Sequence, residues 1–260
     1  MKTGVTTAPN LEFTGERIVP GATEEPLFRE HEERYVFAGG LVKNKRVLDV
    51  ACGTGVGTHY LVTAGARGCY GLDISKEAVE YARCAYADCE FFQNDATQIP
   101  LPDGSVDVVV SFETIEHVGD QDRFLRECCR VLRPGGLVIC STPNRRMTRW
   151  HGANPFHAHE LTSEEFERLL GAVFTDIQLH GQDFRMYTRY VVRTLLVRLL
   201  DRLKIRRLAK RILGRRPPSL GGRSEFDPSL YASADRQKIR AYPGGRFIEP
   251  VYLIAVGRKA

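Results

Sequence analysis

The sequence predicts an α/β protein whose core is a doubly wound, mostly parallel sheet of seven strands. Short runs dense in valine and isoleucine, such as V-D-V-V-V at 106–110, are typical of strands covered on both faces. These runs alternate with segments of helical periodicity, which is the order expected of a parallel sheet. With 260 residues, 43% of them hydrophobic, the chain is long enough to bury such a core.

The alternation begins with a charged and then apolar helix at 29–42 and ends with the fifth strand. Ser75 is a predicted helix N-cap, and Pro134-Gly135-Gly136 ends the helix that precedes the fifth strand. The apolar runs predict strands at 46–51, 68–73, 90–94, 106–111 and 136–141, and the segments between them predict helices at 57–64, 75–87 and 120–132.

Two later segments alternate apolar and polar residues, and they predict a closing antiparallel pair of strands. V-F-T-D-I-Q-L begins at 173, and F-I-E-P-V-Y-L-I-A-V begins at 247. Roughly 65 residues separate them, which predicts a helical insertion between strands six and seven. We therefore divide the chain into an N-terminal arm (1–28), a core (29–181), a basic helical insertion or lid (182–245) and the final core strand (246–260).

The stretch R-V-L-D-V-A-C-G-T-G-V-G-T at 46–58 carries the strongest functional signal. A strand ends there in a loop with three glycines, and a helix follows. Glycines let the backbone bend sharply and approach a ligand closely. Asp49 lies where a carboxylate would repel the pyrophosphate of a dinucleotide. A cationic ligand that carries an amine and a sulfonium is therefore the better match.

V-L-D-V-A-C-G-T-G resembles the first motif of the class I S-adenosylmethionine (SAM)-dependent methyltransferases, and later segments agree in order. C-Y-G-L-D ends at Asp73, E-F-F-Q-N-D-A contains Asp95, and F-E-T-I-E-H-V follows the fourth strand. The match covers about 34–180 and the last strand, and it is most similar to the ubiquinone/menaquinone-type (type 11) group. The resemblance implies a Rossmann-like methyltransferase fold and SAM as the cofactor.

The resemblance also implies which residues contact the cofactor. The methionine part is expected at Asp49, Gly53 and Gly55, the ribose at Asp73 and the adenine at Asp95, with Tyr35 nearby. We interpret Cys52 as a small residue that the turn tolerates rather than as a nucleophile. The expected cofactor residues are Asp49, Cys52, Gly53, Thr54, Gly55, Asp73, Ile74, Asp95, Ala96, Ser111 and Phe112.

Side chains that can accept a proton follow strands four and five, at the rim where open α/β sheets bind ligands. His117 is our first candidate for the general base, because an imidazole with a pKa near neutrality suits an alcohol or a phenol. Glu116 and His157 are the other catalytic candidates. A purely structural role of the E-x-x-E-H segment stays open.

The segment after strand five contains three histidines, which raises the question of a metal site. His157 and His159 would share one face of an extended segment, with His151 nearby. Imidazoles are not the ligands that Mg²⁺ prefers, and no second cluster supports them. We therefore predict no metal ion and expect Trp150 and Phe156 to form apolar walls of the acceptor pocket.

The net charge of +5 conceals a strong asymmetry along the chain. Residues 185–216 contain twelve Lys or Arg and one acid, which gives +11, and the remainder carries −6. Apolar positions from 191 to 213 follow one helical stripe, with arginines on the opposite face. Such a helix lies on an anionic membrane surface or packs as a lid, and contact with nucleic acid or a partner protein is a third interpretation.

These observations predict a SAM-dependent methyltransferase that acts on a small-molecule hydroxyl, on a sugar or a lipid-linked glycan first. A quinone or polyketide-type hydroxyl is the alternative. An RNA methyltransferase is disfavoured, because strand four ends in S-F-E-T and not in the Asn/Asp-Pro-Pro-aromatic signature. A SAM-binding regulator without turnover and an NAD-dependent oxidoreductase stay open.

The composition also indicates where the protein works. No run reaches the roughly 18 apolar residues of a membrane span, and the first ten residues lack the apolar core of a signal peptide. Seven cysteines without a C-x-x-C pair suit free thiols. We expect a cytoplasmic protein, which the basic helix would bring to the inner face of the membrane.

Overall fold

The computed structural model describes residues 17–150, 154–202, 239–244 and 248–260. Eight strands form one sheet: β1 (Arg46–Val50), β2 (Gly68–Asp73), β3 (Glu90–Gln93), β4 (Val106–Phe112), β5 (Leu132–Pro143), β6 (Thr175–Met186), β7 (Arg240–Ala241) and β8 (Ile248–Arg258). The helices are α1 (Glu25–Gly39), α2 (Val56–Thr63), α3 (Lys76–Ala85), α4 (Gln121–Val131), α5 (Arg145–Thr148), α6 (Ser163–Gly171) and α7 (Tyr187–Arg202).

The strand order is β3-β2-β1-β4-β5-β8-β6-β7. The first five strands are parallel, whereas β8 runs antiparallel to both β5 and β6. This arrangement confirms the predicted doubly wound, mostly parallel sheet with a closing antiparallel pair. The two-residue strand β7, which the sequence did not predict, is added at the edge beside β6.

Side chains of β1 alternate between two apolar clusters, one on each face of the sheet. Val47 packs in the cluster that contains Tyr35 and Leu61 of α1 and α2, whereas Leu48 packs in the cluster that contains Phe124 of α4. Asp49 follows the period of two and faces the same side as Val47, towards α1 and α2. This direction decides what the carboxylate can contact.

Several strand boundaries differ from the predicted ones, because the neighbouring strands determine where pairing begins and ends. β6 continues to Met186 because it pairs with the long β8 as far as Ile248. β6 therefore includes residues 182–186, which the sequence pattern assigns to the insertion. β5 begins at Leu132, which pairs with Val106 ahead of a register shift, rather than after the Pro134-Gly135-Gly136 turn.

Part of the predicted arm and most of the predicted insertion, at 1–16, 203–238 and 245–247, lie outside the described residues. Within the described ranges, no helix combines the length and the apolar character that crossing a bilayer requires.

Candidate functional site

A cavity of about 530 Å³ opens at the carboxyl ends of β1, β2 and β4. Its volume lies in the range of small-molecule sites, and β1 is the strand at which the direction of winding reverses, where such sheets bind ligands. The predicted site residues that line the cavity are Cys52, Gly53, Thr54, Asp73, Ile74, Asp95, Ala96, Phe112 and His117. The predicted residues outside its lining are Asp49, Gly55, Ser111, Glu116 and His157.

Asp73 fixes the glycine loop against the end of β2. Its carboxylate accepts hydrogen bonds from the backbone N–H groups of Gly53, at 2.8 Å, and Ser75, at 2.9 Å. Gly53 has a φ of 55°, which favours glycine. Each carboxylate oxygen keeps a further lone pair for a ligand. The adjacent Ile74 is 70% exposed and offers an apolar surface to the cavity.

Asp49 lies beneath the glycine loop and not in the cavity wall. It is fully buried and accepts hydrogen bonds from Thr58 Oγ1, at 2.6 Å, and from Tyr35 Oη, at 3.0 Å. Burial raises the pKa of Asp49 to about 7, although both hydroxyl donors favour the ionised form. Tyr35 itself lines the cavity, so its ring separates the carboxylate from a bound ligand.

Asp95 occupies the loop after β3, beside Ala96. Its Oδ1 accepts hydrogen bonds from the N–H of Thr97, at 2.7 Å, and from Thr97 Oγ1, at 2.8 Å. These bonds lower the pKa of Asp95, so the side chain is ionised at neutral pH. The second carboxylate oxygen is available to a donor group on a ligand.

The end of the N-terminal arm contributes two residues that are not among the predicted site residues. Arg17 Nη1 donates to Ser75 Oγ at 3.0 Å, and Thr54 Oγ1 donates to the carbonyl of Ile18 at 3.0 Å. Both Arg17 and Ile18 line the cavity. These contacts extend the wall of the cavity beyond the glycine loop itself.

The surroundings of Ser111 and Cys52 indicate structural roles for both residues. Ser111 is buried, and its hydroxyl donates to the carbonyl of Val50 at 3.1 Å, which joins β4 to β1. Burial raises the pKa of the Cys52 thiol well above its ordinary range, so the thiolate is disfavoured. His31 lines the cavity as a neutral group, because burial lowers its pKa.

A 3₁₀ turn, Ile115–His117, follows β4 and brings His117 to the cavity wall, whereas Glu116 lies outside the lining. The loop 154–160 packs on this turn, because the N–H groups of Ala158 and His159 donate to the carbonyl of Glu116 at 2.7 and 3.1 Å. The rings of His117 and His157 are perpendicular, with centroids 4.8 Å apart. The structure thus brings together the three predicted catalytic residues.

Glu116 is the buried member of this group. Its Oε2 accepts a hydrogen bond from Thr142 Oγ1 at 3.0 Å, and its Oε1 lies 4.0 Å from His117 Nε2. Within the described ranges, Oε1 has no hydrogen-bond partner. Burial and the neighbouring Glu113 raise the pKa of Glu116.

The residues expected to wall the acceptor pocket do not form part of this cavity. Trp150 donates to the hydroxyl of Tyr187 at 3.3 Å, and the Phe156 side chain is largely exposed. His159 joins the turn only through its backbone, and His151 lies outside the described residues.

Comparison with known proteins agrees with this geometry. Residues 48–140 match the family model described as a methyltransferase domain. A probable S-adenosylmethionine-dependent methyltransferase of Mycolicibacterium smegmatis is 43% identical over 164 residues, which are 62% of this chain and 63% of the relative. A fatty-acid O-methyltransferase of the same organism is 38% identical over 117 residues, which are 43% of each chain. The chain thus spans less than two thirds of the length of these relatives.

A solved structure shares the fold. It is a SAM-dependent methyltransferase, possible histamine N-methyltransferase, from Thermotoga maritima, with a TM-score of 0.59 and 18% identity. The alignment covers 90% of this chain and 92% of that one.

Proposed function

We propose that this chain transfers the methyl group of SAM to a small-molecule hydroxyl. Its residues 48–140 belong to the methyltransferase domain family of the class I SAM-dependent methyltransferases. The observation that carries the proposal is the Asp73 carboxylate, bonded to the glycine loop at the end of β2 and open to the cavity. A carboxylate in this position suits the two hydroxyls of a ribose.

The cofactor would extend along the carboxyl ends of β1, β2 and β3. The ribose would bind Asp73, the adenine would lie against Ile74 and Ala96 with its amino group near Asp95, and the methionine part would lie over the glycine loop. Asp49 would act through Tyr35 and Thr58, without direct contact. The carboxylates of Asp73 and Asp95, close to a ligand that carries an amine and a sulfonium, favour its binding electrostatically.

The reaction needs an acceptor oxygen in line with the sulfonium methyl, and most of the rate enhancement comes from this positioning. The group formed by Glu116, His117 and His157 is our proposed catalytic machinery at the acceptor end. Among them, His117 lines the cavity and is our first candidate to contact the acceptor.

Polar side chains support a polyhydroxylated acceptor, a sugar or a lipid-linked glycan. The acceptor end is lined by Glu113, Thr114, His117 and Asp120, with His31 nearby. Such groups match a sugar better than a wholly apolar ring. The fatty-acid O-methyltransferase among the relatives supports an oxygen acceptor in general. A quinone or polyketide-type hydroxyl is the alternative.

We also propose that the basic segment 191–213 brings the chain to an anionic membrane surface. In the described part of α7, Val192, Leu195, Leu196 and Leu199 are each between 45% and 60% exposed. Their spacing places them on one face of the helix. An exposed apolar face next to many arginines suits the boundary between lipid headgroups and acyl chains.

Isothermal titration calorimetry with SAM and with NAD tests the cofactor. We expect saturable binding of SAM and none of NAD. Asp73→Ala should weaken SAM binding at least about tenfold, because charge-assisted hydrogen bonds to the ribose are lost. Asp103→Ala removes a carboxylate from the loop before β4, outside the cavity lining, and should leave the affinity unchanged. Equal SAM affinity in a folded Asp73→Ala variant would contradict the ribose assignment.

A screen of extract fractions with SAM labelled in the methyl group tests the acceptor class. Label in a carbohydrate fraction is expected, and label in the quinone fraction would favour the alternative. Retention of SAM without transfer to any fraction would favour a SAM-binding regulator.

A further inference from the structure

We propose that Glu116, His117 and His157 hold a divalent transition-metal ion beside the cavity, at the part of its wall that His117 forms. Each side chain offers one ligand atom, and these atoms all lie within 4.8 Å of one another. Two imidazoles and one carboxylate form a donor set that binds ions such as Fe²⁺, Mn²⁺ and Zn²⁺. The sequence predicted no metal, because the pattern groups only the histidines of one segment and does not place them beside the turn after β4.

The hydrogen bond of His117 to a backbone carbonyl leaves the lone pair of its other ring nitrogen directed towards Glu116. His117 Nδ1 lies 3.0 Å from the carbonyl of Phe156, which can only accept, so Nδ1 carries the proton. Nε2 is then left as the lone-pair donor, towards Glu116. Metal-binding histidines are oriented in this way by a backbone carbonyl or a carboxylate behind them.

His157 follows the same pattern with a carboxylate behind it. Its Nδ1 lies 2.6 Å from Glu160 Oε1, so this nitrogen donates and Nε2 carries the lone pair. In the ion-free arrangement Asn154 Nδ2 donates to this Nε2 at 2.9 Å. Asn154 is exposed, so its amide can turn aside when an ion binds.

Glu116 supplies the observation that is independent of the histidines. Its carboxyl is fully buried, Thr142 occupies Oε2, and Oε1 points to His117 Nε2 without a hydrogen-bond partner in the described part of the chain. A buried carboxylate oxygen that lacks a partner is costly. A cation between Oε1 and the two imidazoles would remove that cost.

The role of the ion rests on the proposed methyl transfer, whereas its binding does not. The ion would bind the acceptor oxygen and lower the pKa of its hydroxyl, so that the proton leaves to solvent. The oxygen lone pair then forms the bond to the methyl carbon while the carbon–sulfur bond breaks and the sulfonium becomes a neutral thioether. Three protein ligands leave about two or three positions open. An acceptor with two adjacent hydroxyls would therefore chelate the ion.

Titration of the chelator-treated full chain with Mn²⁺, followed by the electron paramagnetic resonance signal of the free ion, tests the proposal. Mn²⁺ avoids the thiols of the seven cysteines, which soft ions would occupy. We expect one tight site per chain. Glu116→Gln and His157→Ala should each weaken it at least about tenfold, whereas His159→Ala, which removes a neighbouring exposed imidazole, should leave it unchanged.

SAM binding is measured by calorimetry on the same samples. Variants that bind SAM normally but have lost Mn²⁺ support the ion site without a defect in folding. Absence of a saturable Mn²⁺ site in a chain that binds SAM would overturn it, and so would a site that Glu116→Gln and His157→Ala both leave intact. Failure to bind SAM would count against the proposed function and not against the ion site.

Discussion

Asp49 shows how one residue can satisfy a sequence motif and yet act at a distance from the ligand. The alternation along β1 turns its carboxylate towards α1 and α2, where Tyr35 and Thr58 donate to it. A charge buried in this way costs free energy unless it is hydrogen-bonded or neutralised. The two hydroxyls offset only part of the cost, and the pKa is raised from 3.8 to about 7.

This pKa predicts a pH dependence of stability. In the unfolded chain Asp49 ionises near its ordinary pKa, whereas the folded protein retains the proton to about pH 7. The unfolded state therefore binds fewer protons between about pH 4 and about pH 7, and the free energy of unfolding falls as the pH rises through that window. In the Asp49→Asn variant this side chain does not titrate, so its free energy of unfolding does not fall for this reason. Its stability relative to the parent should rise between about pH 5 and about pH 8 by roughly 1 to 4 kcal/mol.

Urea unfolding of both proteins at the two pH values measures the difference. If the free energy of unfolding changes by the same amount with pH in parent and variant, Asp49 is not the group that titrates.

The cofactor residues were largely predictable from sequence, and the acceptor residues were not. Asp73 ends β2 and Asp95 lies in the loop after β3, so local patterns place both at the carboxyl ends of neighbouring strands. Contact between Glu116 and His157 depends instead on two backbone hydrogen bonds from the loop 154–160 to the turn after β4. No periodicity in either segment encodes that contact. Tyr35 was tied to the site only by family resemblance, because nothing in α1 marks it.

At the scale of elements, the packing of α1 on α2 explains Gly57, the last of the three glycines, which lies in the first turn of α2. A Cβ at Gly57 would lie 2.0 Å from the Tyr35 ring. That ring also contacts Phe112 edge-on, with centroids 5.0 Å apart, and bonds to Asp49. Gly57 is therefore required by the helix packed above it, in addition to any approach of a ligand.

Gly57→Ala should accordingly displace Tyr35 and destabilise the fold by about 1 to 3 kcal/mol, the usual cost of overpacking. SAM binding should weaken as well, because both residues line the cavity. The matched control is Gly68→Ala at the start of β2, where an added Cβ meets no atom within 4 Å. Thermal unfolding and calorimetry measure both effects. If Gly57→Ala and Gly68→Ala have equal stability and equal SAM affinity, the contact with Gly57 does not hold the Tyr35 ring in place.

Element boundaries were harder to predict than element types, since pairing partners set them. β6 extends to Met186 because β8 provides partners that far, although the local sequence D-F-R-M has no strong strand pattern. β7 pairs with His180 and Gly181 of β6, and a strand of two residues has no apolar periodicity of its own to predict it. Pairing over long sequence separations is not encoded in a local window.

The whole molecule is divided electrostatically between an acidic body and a basic segment. Residues 185–216 carry +11, and the rest of the chain carries −6. An anionic surface would therefore attract one end of the chain and repel the rest, which would orient the protein on a membrane. The exposed apolar residues of α7 belong to the same basic segment.

Co-sedimentation with vesicles tests this orientation at the level of the full chain. We expect the protein to pellet with vesicles that contain anionic phospholipid, much less with neutral ones, and less at high salt, because the arginines contribute about 1 kcal/mol each near an anionic surface. Leu195→Glu combined with Leu199→Glu places acids on the exposed apolar face of α7 and should reduce the pelleted fraction severalfold. Ile248→Glu, at an exposed apolar residue outside that helix, should have little effect. Pelleting that is the same for both variants, or the same on neutral vesicles, would contradict the membrane role and favour a helix that packs as a lid.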